Sequence, residues 1–122
     1  MRVPLRIFCC DDSASFLILL EDWLRDHGDL ELAGTSTTRA DALTRLRDAP
    51  VDVVVTDTFA PFGDPAFLRD LRAAVPDARL VLYTGYAPHE LPAEVTGAVD
   101  AVVRKDADES GLVAAVRQLA RP

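Results

Sequence analysis

Cysteine, methionine and tryptophan are almost missing from this chain: its 122 residues include two cysteines, one methionine and one tryptophan. The cysteines, Cys9 and Cys10, are neighbours inside an apolar run, and adjacent residues rarely meet disulfide geometry or the spacing of CxxC metal and redox sites. A disulfide scaffold is excluded, and both are predicted to be small core residues in a reducing compartment. Long hydrophobic runs are lacking as well. The N-terminal apolar run meets Asp11-Asp12 before a signal-peptide core can form, and no stretch approaches membrane-spanning length. The expected location is cytoplasmic, without membrane contact.

Positive charge is scarce: 13 Lys plus Arg stand against 20 Asp plus Glu, a formal net charge of −7. That sign repels phosphate backbones and anionic membranes, so direct nucleic-acid binding by this domain is not expected. Nucleotide-binding and hydrolase motifs are absent too, with no GxxxxGK[ST], no GxGxxG after the first strand, no HExxH and no GxSxG. His27 and His89 have no further histidine or cysteine at ligand spacing and are expected at the surface.

The chain does hold enough apolar residues, 49%, for one compact domain. Four short apolar runs, Leu5 to Cys10, Val51 to Thr56, Arg79 to Thr84 and Ala98 to Val103, have strand length and little alternation, which predicts burial on both faces. Leu30 to Ser36 carries Glu31 and Gly34 and is expected to be a strand nearer a sheet edge.

Helical spacing lies between these runs. Phe16, Leu17, Leu20, Trp23 and Leu24 form one stripe, with Ser13 or Ser15 as cap and an end near Gly28. Ala40, Leu43 and Leu46 stop before Pro50, and Phe67, Leu68, Leu71 and Val75 stop before Pro76. Leu112, Val113, Val116 and Leu119 follow Asp108 or Ser110 as cap. Between Ala87 and Thr96, Pro88 can open a helix but Pro92 removes a donor, so a short or distorted turn is expected.

Strands alternating with such helices predict a single α/β domain over residues 1–122: a flavodoxin-like, doubly wound, five-stranded parallel sheet, (βα)5 in order, with helices on both faces and an irregular fourth helix. Ligands of such sheets bind beyond the carboxyl ends of the strands. There this chain has Asp11-Asp12, Asp57, Thr84 and Lys105. Three crowded carboxylates repel one another, and the usual remedy is a hard divalent cation with oxygen ligands, Mg²⁺ where phosphate is also handled. A carboxylate beside Mg²⁺ can attack phosphorus and give an aspartyl phosphate, provided cations and donors balance the incoming oxygens; Lys105 and Thr84 are of the right types.

With these residues in place the chain resembles the receiver domain of two-component response regulators along essentially its whole length. The matching motifs are the apolar strand into Asp11-Asp12-Ser13, Val53-Val54-Val55-Thr56-Asp57, Pro61 four residues on, Tyr83-Thr84-Gly85, and Val102-Val103-Arg104-Lys105-Asp106. The resemblance implies that Asp57 accepts a phosphoryl group from a histidine kinase, a phosphotransfer protein or a small phosphodonor. It implies Mg²⁺ held by Asp12 and Asp57 directly, by Asp11 through water and by the backbone carbonyl of Phe59. Thr84 and Lys105 would bind phosphoryl oxygens. Such a domain is regulatory, an enzyme only in its self-phosphotransfer and autodephosphorylation, and acts on a downstream protein or a fused output domain. A homodimer is compatible with it, and the end at Arg121-Pro122 suits a whole protein or a receiver cut from a longer regulator.

Three departures from the family pattern stand out. Val102 occupies the place of the usual aromatic, so the switch is expected to pass through the loop near Thr84, or through Tyr83 or Tyr86. Asp106 follows the lysine where many relatives have proline. Phe59 and Tyr86 flank the phosphoryl position, where large rings would restrict the attacking water; simple loop packing, against Phe62 or the segment after Pro88, is the other account. Two other functions fit parts of the pattern: a phosphate-independent interaction module, and a small Mg²⁺-dependent phosphatase of the haloacid dehalogenase type. The latter family wants Asp-x-Asp after its first strand, whereas here the acids are adjacent.

Overall fold

The computed structural model describes residues 3–105 and 109–120. Its strands are β1 (Leu5–Cys10), β2 (Leu30–Ser36), β3 (Val53–Thr56), β4 (Arg79–Thr84) and β5 (Ala101–Arg104). Its helices are α1 (Ala14–Arg25), α2 (Arg39–Asp48), α3 (Pro65–Ala74), α4 (Ala93–Thr96) and α5 (Ser110–Leu119), with a 3₁₀ turn at Pro88–Glu90. The strands form one parallel sheet in the order β2-β1-β3-β4-β5, so Leu30 to Ser36 is an edge strand as expected. Strand order reverses between β1 and β3, and the crevice above that point is where ligands of doubly wound sheets lie.

Alternation along the inner strands feeds two cores. Ile7, Cys9, Val53, Val55 and Val81 meet Leu17, Leu20 and Leu24 of α1 and Leu112, Val113 and Val116 of α5. Phe8, Cys10, Val54, Leu80 and Leu82 meet α2, α3 and α4 through Ala42, Leu46, Phe67, Leu68, Leu71 and Val95. The two cysteines therefore point to opposite faces, both buried and free. Burial pushes the Cys9 thiol up to about 12 and raises that of Cys10 further still, so neither is a reactive thiolate.

Ser13 caps α1, its hydroxyl accepting from the Phe16 N–H at 3.2 Å, and Thr38 and Asp64 cap α2 and α3 in the same way. Pro88 and Pro92 split the segment before β5 into the 3₁₀ turn and the single helical turn α4, because each removes a backbone donor.

Five boundaries differ from the sequence expectations. Val51 and Asp52 precede β3, and Ala98 to Asp100 precede β5, which instead runs on to Arg104. The reason is the same at both strands: an aspartate side chain takes the neighbour's N–H, Asp52 from Arg6 at 2.8 Å and Asp100 from Leu80 at 2.8 Å, and regular pairing begins one residue later. α1 ends at Arg25, three residues before Gly28, whose backbone is not left-handed. Ser110 is the first residue of α5 rather than its cap, a position taken by Glu109 in helical conformation. Asp106 and Asp108 lie outside the described residues.

Candidate functional site

Two strand ends on either side of the order reversal set the centre of the site. Asp11 follows β1, with its N–H bonded to the Ser36 carbonyl at 3.0 Å; Asp57 follows β3, with its N–H bonded to the Cys10 carbonyl at 2.8 Å. Each backbone is thus held by the neighbouring strand while its side chain emerges at the crevice. Asp11 is buried, Asp57 half-buried and Asp12 exposed, and one carboxylate oxygen from each lies within 4.8 Å of the other two. The Asp11 carboxylate also accepts the Ser13 N–H at 2.9 Å, which ties it to the start of α1.

Lys105 enters from the end of β5, its N–H bonded to the Thr84 carbonyl at 2.7 Å. Its ammonium donates to Asp11 Oδ2 at 2.7 Å and to Asp57 Oδ1 at 3.0 Å, and sits 4.4 Å from the centre of the Phe16 ring. Burial drives the Asp11 carboxyl above its ordinary value, with the Asp57 charge adding to the rise, although Lys105 and the Ser13 N–H pull the other way. Burial alone would lower Lys105, but its bonds to Asp11 and Asp57 outweigh that and hold it above the ordinary lysine value. The ammonium is a firm positive charge between two acids.

Thr84 is buried at the end of β4, and its hydroxyl accepts the Tyr86 N–H at 3.2 Å. Among the described residues no hydrogen bond joins it to the three carboxylates. Phe59 reaches the site through its backbone, its N–H donating to Asp57 Oδ2 at 3.0 Å. Its ring lies edge-on to Phe67, 5.4 Å between centres, and borders the core on the α3/α4 side. Phe62 pairs instead with Tyr86, 5.0 Å between ring centres.

Tyr83 and Tyr86 face different cores: Tyr83 is buried beside Phe16 on the α1/α5 side, and Tyr86 borders the α3/α4 side, where Val102 also packs. His27 is half-buried, not at the surface: its Nδ1 accepts from Arg117 at 3.3 Å, and Arg117 in turn grips Asp29 with two bonds of 2.8 Å. His89 is exposed.

The donor set suits a small hard cation. Octahedral Mg²⁺ with oxygens at about 2.1 Å takes ligand pairs from about 3 to 4.2 Å apart, and three carboxylate oxygens gathered within 4.8 Å of one another are near that spacing. Asp11, Asp12 and Asp57 could hold it, with Lys105 yielding Asp57.

The sequence reading missed the surroundings of Phe59. Arg39, the first residue of α2, lays its guanidinium 5.8 Å from the centre of the Phe59 ring and bonds Asp64 at 2.6 Å. A long-range stack of this kind leaves no local pattern. Phe16, placed by the sequence in the apolar stripe of α1, also underlies the Lys105 ammonium, a contact between distant residues that leaves no local signal.

No protein-family model matches the chain. The DNA-binding transcriptional activator DevR/DosR of Mycobacterium tuberculosis is 33% identical over 117 residues, 93% of this chain and 54% of that protein. The chain thus spans little more than half the length of this relative. A CheY-like response regulator receiver domain protein from Methanospirillum hungatei superposes with a TM-score of 0.82 at 20% identity, covering 97% of this chain and 94% of the other. A response regulator from Burkholderia pseudomallei, solved with a phosphorylated aspartic acid, a calcium ion and citrate, gives 0.78 at 21% identity, covering 95% and 68%. At these identities the structural likeness shows the fold.

Proposed function

We propose that this chain, which has the fold of response-regulator receiver domains and a curated response-regulator relative, acts as such a receiver: it takes a phosphoryl group onto Asp57 and changes conformation to control a partner or output domain. The observation that carries the reading is the Lys105 ammonium bonded to both Asp11 and Asp57 beside the exposed Asp12. An acid cluster with a movable cation is suited to exchanging one oxyanion partner for another.

An Asp57 carboxylate oxygen attacks phosphorus in line, a P–O bond forms, and the P–N bond of the donor's phosphohistidine breaks, the electron pair going to an imidazole already protonated on its other ring nitrogen, which leaves neutral. Asp11, Asp12, Asp57 and the Phe59 carbonyl would hold Mg²⁺, which would supply Lewis-acid neutralisation of the transferring oxygens. Lys105 passes from Asp57 to a phosphoryl oxygen. Thr84 accepts the Tyr86 N–H, so its own hydroxyl proton is available to donate to another. Drawing Thr84 toward the phosphoryl group moves Tyr86 and, through the ring contact, Phe62; this route replaces the inward swing of an aromatic that Val102 does not provide.

The donor is a sensor histidine kinase or phosphotransfer protein in the cytoplasm. Among the described residues no helix is long and apolar enough to cross a membrane. The Mycobacterium tuberculosis relative is a DNA-binding activator about twice this length, so DNA contact is assigned to an output domain or downstream protein, not to this acidic domain.

Intact-protein mass after incubation with a small phosphodonor, with and without Mg²⁺, tests the reading. A single Mg²⁺-dependent phosphoryl adduct, lost in Asp57→Ala, is expected. No adduct in the wild type would make the domain a phosphate-independent interaction module. Phosphate release over many turnovers would make it a small phosphatase.

A further inference from the structure

The turn that follows Asp57 is strained. Phe59 has φ of +61°, and the Ala60 N–H bonds the Thr58 carbonyl at 2.7 Å, closing a three-residue turn centred on Phe59. A γ-turn with positive φ at its centre is the rare, strained form, and an aromatic residue there is an outlier. Such a conformation persists only where its surroundings over-determine it.

Here the surroundings form a closed ring of four residues, Phe59 included. Phe59 stacks edge-on against the buried Phe67, 5.4 Å between centres. The Phe67 N–H donates to Asp64 Oδ1 at 3.2 Å, and Asp64 Oδ2 accepts from Arg39 at 2.6 Å. Arg39 closes the ring by laying its guanidinium 5.8 Å from the Phe59 ring centre. One carboxylate thus caps α3 and anchors the cation that covers Phe59, so the clamp joins the first turns of α2 and α3. Its output is a single backbone group, the Phe59 N–H, which holds Asp57 Oδ2 at 3.0 Å while Lys105 holds Oδ1.

We propose that Arg39 is a positioning residue for the phosphoacceptor: with Asp64 and Phe67 it pins the strained Phe59 turn, and the turn orients the Asp57 carboxylate for the cation and the incoming phosphorus. The consequence for phosphorylation rests on the receiver reading above; the consequence for the Phe59 turn does not. Among the described residues Arg39 bonds Asp64 and covers the Phe59 ring, so its effect on Asp57 passes through Phe59. A planar guanidinium stacks on a ring face and bonds a carboxylate at once, which an ammonium does less well.

The test uses the full chain as wild type, Arg39→Gln, Arg39→Lys and Asp64→Asn. Three quantities are read: exchange of the Phe59 amide proton by NMR, Mg²⁺ affinity by calorimetry without phosphodonor, and the rate of phosphoryl adduct formation. A half-exposed ion pair and a stacked cation together correspond to about a fivefold effect. Arg39→Gln is expected to speed Phe59 exchange, weaken Mg²⁺ binding and slow phosphorylation by about that factor, with exchange elsewhere in the sheet unchanged. Arg39→Lys should recover part of each loss, and Asp64→Asn should resemble Arg39→Gln. Unchanged Phe59 exchange in Arg39→Gln overturns the clamp. Faster exchange with unaltered Mg²⁺ affinity and phosphorylation overturns its role at Asp57. If the wild type neither binds Mg²⁺ nor takes phosphate, the receiver reading fails by itself, and the Phe59 exchange still judges the clamp.

Discussion

Gly63 shows how tightly single residues are held beside the site. Its φ is +104°, and a Cβ there would lie 2.8 Å from Val95 Cγ2, a side chain with no exposure on α4. Strain and overpacking are each worth about 1–3 kcal/mol, so Gly63→Ala is expected to lower stability by about 3 kcal/mol in urea unfolding. Gly28 has open space and an ordinary backbone, and Gly28→Ala should change stability by less than about 1 kcal/mol, most simply upward. Backbone conformation and the neighbour across the loop together separate the two glycines. Of the functional side chains, the acids and Lys105 were legible because each directly ends or follows an apolar strand. Arg39 was not, because its partners Phe59 and Asp64 are distant in the chain and obey no local spacing.

Among the elements, β4 and β5 depend on a carboxylate that acts as part of the sheet. Asp100 accepts the buried Leu80 N–H at 2.8 Å and pairs with Arg72 at 3.1 Å, while its own N–H bonds the Leu80 carbonyl. Asp100→Ala removes a charged acceptor from a buried donor, and a loss of about 2 kcal/mol is expected. Burial works against its charge, but the Leu80 N–H, Arg72 and Arg79 outweigh it and hold the Asp100 carboxyl below its ordinary value. For a depressed carboxyl the stabilisation is present above the unfolded-state value and is lost as pH falls through the lower folded-state value. The gap between the stabilities at pH 7 and pH 3 should therefore shrink in Asp100→Asn, read by urea unfolding at both. This residue also explains why β5 starts later than its apolar run: Asp100 replaces a ladder step with a side-chain bond, and hydropathy does not record that.

At the scale of the whole molecule, the acid cluster exists only when the ends of β1 and β3 lie side by side, so a cation that binds there stabilises the native state alone. If its dissociation constant is about 1 mM, 10 mM Mg²⁺ adds about 1.4 kcal/mol. For a domain of this size that is a rise of about 5 °C in Tm, measurable by thermal unfolding. Asp12→Asn should shrink the rise while leaving the metal-free fold intact, since Asp12 is exposed. The parallel five-stranded architecture, the edge position of β2, the broken fourth helix and the acids at the strand ends were determined by the sequence itself. Apolar runs, prolines and strand-end charges act locally or through burial, and they leave a one-dimensional trace. Tertiary structure alone decided that Lys105 bridges Asp11 and Asp57, that Phe59 turns toward Phe67 under Arg39, and that Tyr86 pairs with Phe62. These depend on which side chains meet when separate strand ends and loops are packed together, a matter of distances between residues far apart in the chain.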